Sequence, residues 1–166
     1  NISISTTAIG PTGVSNLTLT TGGTITQTTA LTRSTLNLKL SSVGLIALTD
    51  GANNVASLAV AISGAGALNY VDADALNITT VDGTSGITTA NSNATITANG
   101  ALTLSQSIAV GSGTLALNVT GGAITQPGGT ITANTLSVAN ISANTTLDRP
   151  GNNISVLGSV LATNRT

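Results

Sequence analysis

The chain has 166 residues, a formal charge of -1, no cysteine or histidine, and 5% charged against 40% hydrophobic side chains. This composition excludes a disulfide framework, thiolate metal sites, a serine triad and a basic nucleic-acid footprint, and it opposes disorder. Tyr70 is the only aromatic, and Phe, Trp and Met are absent, so a core must come from Leu, Ile, Val and Ala. Such a core suits thin, regular layers.

The polar half of the chain is Thr, Ser, Asn and Gly. Thr favours strands and Asn and Gly favour turns, which predicts an all-β protein. Candidate strands begin at Leu17, Leu36, Val55, Leu76, Ile96, Leu115, Leu136 and Ile154, at intervals of 18 to 21 residues. Leu17 and Leu19 alternate with polar residues, Gly22-Gly23 breaks the run, and "TITQ" resumes it. Leu36, Leu38 and Leu40 share one face, and Asn37 and Lys39 share the other. No apolar run approaches the ~20 residues of a membrane-spanning helix.

A longer repeat overlies this short period. "GGTITQ" at 22–27 returns as "GGAITQ" at 121–126, and "LTDGANNVASLAV" at 48–60 returns as "LDRPGNNISVLGSV" at 147–160. The order of matching phrases holds throughout, so residues 1–166 read as one continuous segment: a ~100-residue repeat at 1–100 and a partial copy at 101–166. About five units of roughly 20 residues fill one long repeat, which puts both hexapeptides at the same corner of the same coil.

Strand, turn and strand within units of about 20 residues predict a parallel β-solenoid of about eight coils. Stacking buries apolar faces that one coil leaves open, at about 1.5–3 kcal/mol per buried Leu, Ile or Val. Asn53-Asn54 and Asn152-Asn153 are expected at corners, where Asn tolerates left-handed backbone, or in stacked amide ladders. A Greek-key sandwich is the competing fold, but it needs neither a constant spacing nor a 100-residue self-match.

"LTLTTGGTITQ", "YVDADALNITTVDGTSGITT" and "ATITANGALTL" resemble the repeat regions of filamentous-haemagglutinin-like large secreted bacterial adhesins, of the two-partner-secretion exoprotein type. The similarity covers nearly the whole chain. It implies a right-handed β-helix, export, and a role in surface attachment, matrix or biofilm. Neither an "RGD" tripeptide nor a recognisable secretion domain accompanies it. The first residue is not a signal-like start, and both ends fall partway through a repeat. A processed product or a window on a longer array is therefore expected, with uncapped ends that favour association.

Chemistry is sparse. Lys39 is the only lysine, and its alternation places it outward. Asp72 and Asp74 share a face if they lie on a strand, and Asp82 follows closely. They are the candidates for a Ca²⁺ site or for carboxylate work on a polysaccharide, against a plain turn-and-surface role. Thr-x-Thr pairs, as at Thr18/Thr20 and Thr95/Thr97, are the basis for an ice-binding alternative. Asn-x-Ser/Thr sequons stand at Asn16, Asn77, Asn93, Asn118, Asn140, Asn144 and Asn153, with others at Asn1 and Asn164. Each is a glycan acceptor if it faces outward.

The expected protein is extracellular, non-enzymatic and structural: a rod or filament at the cell surface, with no catalytic residue and no cofactor. Expected partners are further copies end to end, or continuation of the same array, and host or matrix glycans. Nucleic acid and membrane insertion are not expected. An all-β filament subunit joined by strand exchange is the structural alternative.

Overall fold

Alternation at period two becomes a wall of parallel strands in the computed structural model, which describes residues 1–5, 13 and 15–162. The strands are β1 (Ile2–Ile4), β2 (Asn16–Thr21), β3 (Ile25–Gln27), β4 (Asn37–Ser42), β5 (Ile46–Leu48) and β6 (Ser57–Ile62). They continue as β7 (Leu68–Asp72), β8 (Leu76–Ile78), β9 (Thr80–Val81), β10 (Thr84–Ser85), β11 (Ile87–Thr88) and β12 (Ala94–Ala98). The last are β13 (Leu102–Leu104), β14 (Ile108–Val119), β15 (Ile124–Thr125), β16 (Ile131–Asn140), β17 (Thr145–Thr146) and β18 (Asn153–Ala162). Among the described residues there is no helix. Every pairing is parallel except β9 with β10.

The strands wind as a β-solenoid of about seven turns, roughly 21 residues apart. One inward column shows the stacking: Ile2, Ile25, Ile46, Leu68, Ala94, Leu115, Leu136 and Leu157 lie one above another. A second runs through Leu48, Tyr70, Ile96, Leu117, Val138 and Val160. Residues from Ile25 to Leu117 in these columns are fully buried. Parallel pairing also rules out the sandwich, whose strands pair antiparallel. Seven steps at the ~4.8 Å strand spacing give a rod of about 34 Å.

The even 20-residue spacing conceals one insertion. From Leu68 to Ala94 the coil takes 26 residues, as 94 − 68 shows, whereas Ile25 to Ile46 takes 21. The extra length is a hairpin: β9 and β10 leave the wall after β8 and turn on Asp82 (φ 46°) and Gly83 (φ 78°). The chain then rejoins the wall at β11. Two left-handed residues in succession make a hairpin turn whose twist matches its strands.

This insertion corrects the expected phase of the long repeat. Ile25 is stacked, through four steps, under Leu115, 90 residues on. Ile124 of the second hexapeptide lies nine residues beyond that column, on a different ladder, stacked on Leu102 and Leu76. The two copies of the repeat are therefore rotated about the rod axis relative to each other. Their local chemistry is nevertheless the same, as the corners show.

Candidate functional site

Tyr70 and Asp72 sit two residues apart on β7, and both point inward with Leu68. Both are fully buried. Tyr70 Oη donates to Asp72 Oδ2 at 3.0 Å, Val55 N–H donates to the same oxygen at 3.1 Å, and Asp74 N–H donates to Oδ1 at 3.1 Å. Burial raises the Asp72 carboxyl above its ordinary range, against the pull of its three donors. Burial, and then the neighbouring carboxylate, raise the Tyr70 phenol well above its ordinary value. The pair closes a corner inside the wall, away from any polymeric substrate.

Asp74 is exposed just past the end of β7, because the chain turns there. Asp82 is on the hairpin tip, folded down over the outer face of the preceding coils. Its Oδ2 accepts Thr18 Oγ1 at 2.7 Å, and Lys39 Nζ donates to its carbonyl oxygen at 2.8 Å and lies 3.6 Å from Oδ2. The Thr18 hydroxyl and then Lys39 hold this carboxyl below its ordinary range. Lys39 does face outward, but it clasps the hairpin. The three aspartates thus diverge, and no group of three His, Cys, Asp or Glu side chains gathers for a metal among the described residues.

Beneath the hairpin, Val81 is 3% exposed and Ala59, which alternation would point outward, is 0% exposed. The apolar contact of hairpin on β6 is what the sequence reading missed. Its available signal was the Asp82-Gly83 pair, a hairpin-turn dipeptide between two short polar strands.

The sequons divide by exposure. Asn16, Asn93, Asn144 and Asn153 are exposed, and Asn77 and Asn118 are half-buried in the wall. Asn140 is only 2% exposed, and its amide donates to Asn144 O and Thr145 Oγ1. It occupies an inward position of β16, so a glycan there would break the corner. Asn164 lies outside the described residues.

The corner asparagines do a different job from the one expected. Left-handed non-glycine backbone among the described residues is confined to Asp82 and Asn91, so Asn53 and Asn152 do not use it. Asn53 instead points inward and exchanges two amide bonds with Gln27, while its Oδ1 also accepts Leu31 N–H at 2.8 Å and its Nδ2 reaches Leu48 O at 3.3 Å. In the second copy Asn152 repeats the set with Gln126, Ile131 N–H and Leu147 O. The partners are glutamine and backbone, not a stack of asparagines. An outward Asn ladder does exist, as Asn37 Nδ2 on Asn16 Oδ1 at 2.9 Å.

The last coil is open. Along the first inward column Leu115 is 0% exposed, Leu136 3% and Leu157 66%. Val156, Val160 and Leu161 are about half exposed too. With Val138, Leu147 and Ile154, three of these last-coil residues line an apolar trough.

A family described as "Repeats of unknown function (DUF5649)" matches residues 91–161, the stretch from the end of the long coil to the open end. The match spans four steps of the wall and agrees with a repeat protein. No curated protein and no solved structure matches the chain. By fold and by this match the chain is a β-solenoid repeat protein.

Proposed function

We propose that this solenoid is a structural, non-enzymatic rod, exported and used at the cell surface in the manner of the adhesin repeats it resembles. The observation that carries the reading is the continuous wall: parallel strands pair from β1 to β18 while aliphatic columns fill the interior. Length then scales with the number of coils, at about 4.8 Å per coil. The outer face is mostly Thr, Ser and Asn, which keeps a rod soluble and offers hydrogen bonds to glycans or to neighbouring rods.

The reading has two parts, and each has a test. Small-angle scattering of the purified chain should give an elongated particle with a cross-section that does not depend on length. A particle with nearly equal dimensions would end the rod. Antibody labelling of intact and of permeabilised source cells tests the location. Signal only after permeabilisation would end the surface role.

A further inference from the structure

The exposed apolar trough at β18 is the lower half of an interface that the molecule repeats inside itself. In the first copy of the repeat, Leu58 and Val60 on β6 are fully buried, because Ile78 and Ile87 stack on them from the next coil. Leu157 and Val160 take the corresponding places on β18, opposite Leu136 and Val138, and carry nothing. A complementary half stands at the other end. β1 pairs only with β3 among the described strands, and Ile2 and Ile4 head the same two columns that Leu157 and Val160 end.

We propose that the β18 face binds the β1 end of a second copy of this chain, head to tail. Ile2 of the incoming copy would stack on Leu157 and Ile4 on Val160, and the strands would remain parallel. The coil-to-coil contact already present throughout the rod is thereby continued across the junction. Such a contact is heterologous and does not close, so its product is a filament rather than a dimer. The inference rests on reading the chain as a rod, and it adds which surfaces join and in which register.

The chain contains no cysteine, so introduced thiols test the register directly. Ser3 and Ser159 are both exposed and outward, and Ser159 lies beside the column that runs from Ser3 through Thr26, Ala47, Asn69, Thr95, Ala116 and Ser137. Neighbouring strands lie ~4.8 Å apart, within disulfide reach. Under mild oxidation S3C/S159C should give a ladder of trimers and larger species, while each single variant stops at dimers. In sedimentation, L157K should weaken association of the parent chain by about tenfold or more.

Three results would overturn the proposal. The first is a parent chain that stays monomeric at every concentration, with no ladder. The second is S159C dimers alongside a double variant that goes no further, which would mean tail-to-tail pairing. The third is a monomer whose Tm rises when a copy of residues 67–88 is fused after Ala162, which would assign the trough to the chain's own next coil. All three leave the rod reading standing. Its own failure would show instead as a particle that is not elongated.

Discussion

Gln27 and Asn53 hold each other across a corner by two reciprocal amide bonds, Gln27 Nε2 to Asn53 Oδ1 at 2.8 Å and Asn53 Nδ2 to Gln27 Oε1 at 2.9 Å. Gln126 and Asn152 do the same at 2.8 and 2.9 Å. The spacing is 26 residues in both pairs. The loop after Gln126 is one residue longer than that after Gln27, yet Asn152 still receives the backbone N–H that follows it, from Ile131. The amide pair, rather than the loop, defines this corner.

Asn53→Ala should therefore cost about 3 kcal/mol, since it strands several buried donors and acceptors at about 1–3 kcal/mol each, some of which relax. Asn152→Ala should cost less than half of that, because Asn152 is half-buried near the open end. Urea unfolding of both variants measures this. Equal losses would mean that the corner's burial does not set its worth.

Gly22 and Gly121 occupy equivalent places in the two copies, but only one has a coil against it. A Cβ on Gly22 meets nothing within 4 Å, whereas on Gly121 it would collide with the carbonyl of Asn99. Gly22→Ala should leave Tm within about 2 °C of wild type, on a cost under ~0.5 kcal/mol. Gly121→Ala should cost about 1–3 kcal/mol through forced backbone movement. Two neutral variants would show that coils separate there easily.

The hairpin over β6 offers a choice between charge and packing. The Lys39–Asp82 pair is exposed on the Asp82 side, and such pairs contribute about 0–1 kcal/mol. Val81 is buried, and its truncation to Ala removes about two methylene equivalents, or about 1.6 kcal/mol. Val81→Ala should accordingly free the hairpin to proteolysis more than Asp82→Asn does. Limited digestion followed by mass mapping of 79–86 decides it, and the reverse order would make the ion pair the clasp.

Asp72 predicts a pH effect of unusual sign for a carboxylate. Its folded pKa is raised above the unfolded 3.8, so the folded state holds the proton more tightly. The stability it contributes is fully present below 3.8 and is lost as pH rises through the raised value. The Tm difference, wild type minus Asp72→Asn, should shrink as pH climbs from below 3.8 toward neutrality. A difference that grows instead would mean that the three donors outweigh burial.

The positions of Leu17, Leu36 and Leu115 in the period-two pattern were enough to predict strands, coils of about 20 residues and a parallel wall. Alternation is a local property, and each strand carries it alone. The same rule, applied from Leu68 through Tyr70, would have turned Asp72 inward. What it missed at Asp72 was a polar residue in an apolar run, a buried carboxylate whose donors come partly from another coil.

Two features needed the tertiary structure. The ladder that a strand joins depends on the summed lengths of all the coils before it, so a hairpin of a few residues at 79–86 moves "GGAITQ" to another side of the rod while leaving its corner intact. The exposure of Leu157 depends on what stacks above it, and "VLGSVL" carries the same alternation whether covered or open. Sequence by itself determined which residues face in and which corners recur, because those rest on neighbours along the chain. Only the stacking decided which ladders the corners joined and where the apolar columns ended uncovered, because those rest on neighbours a full coil away.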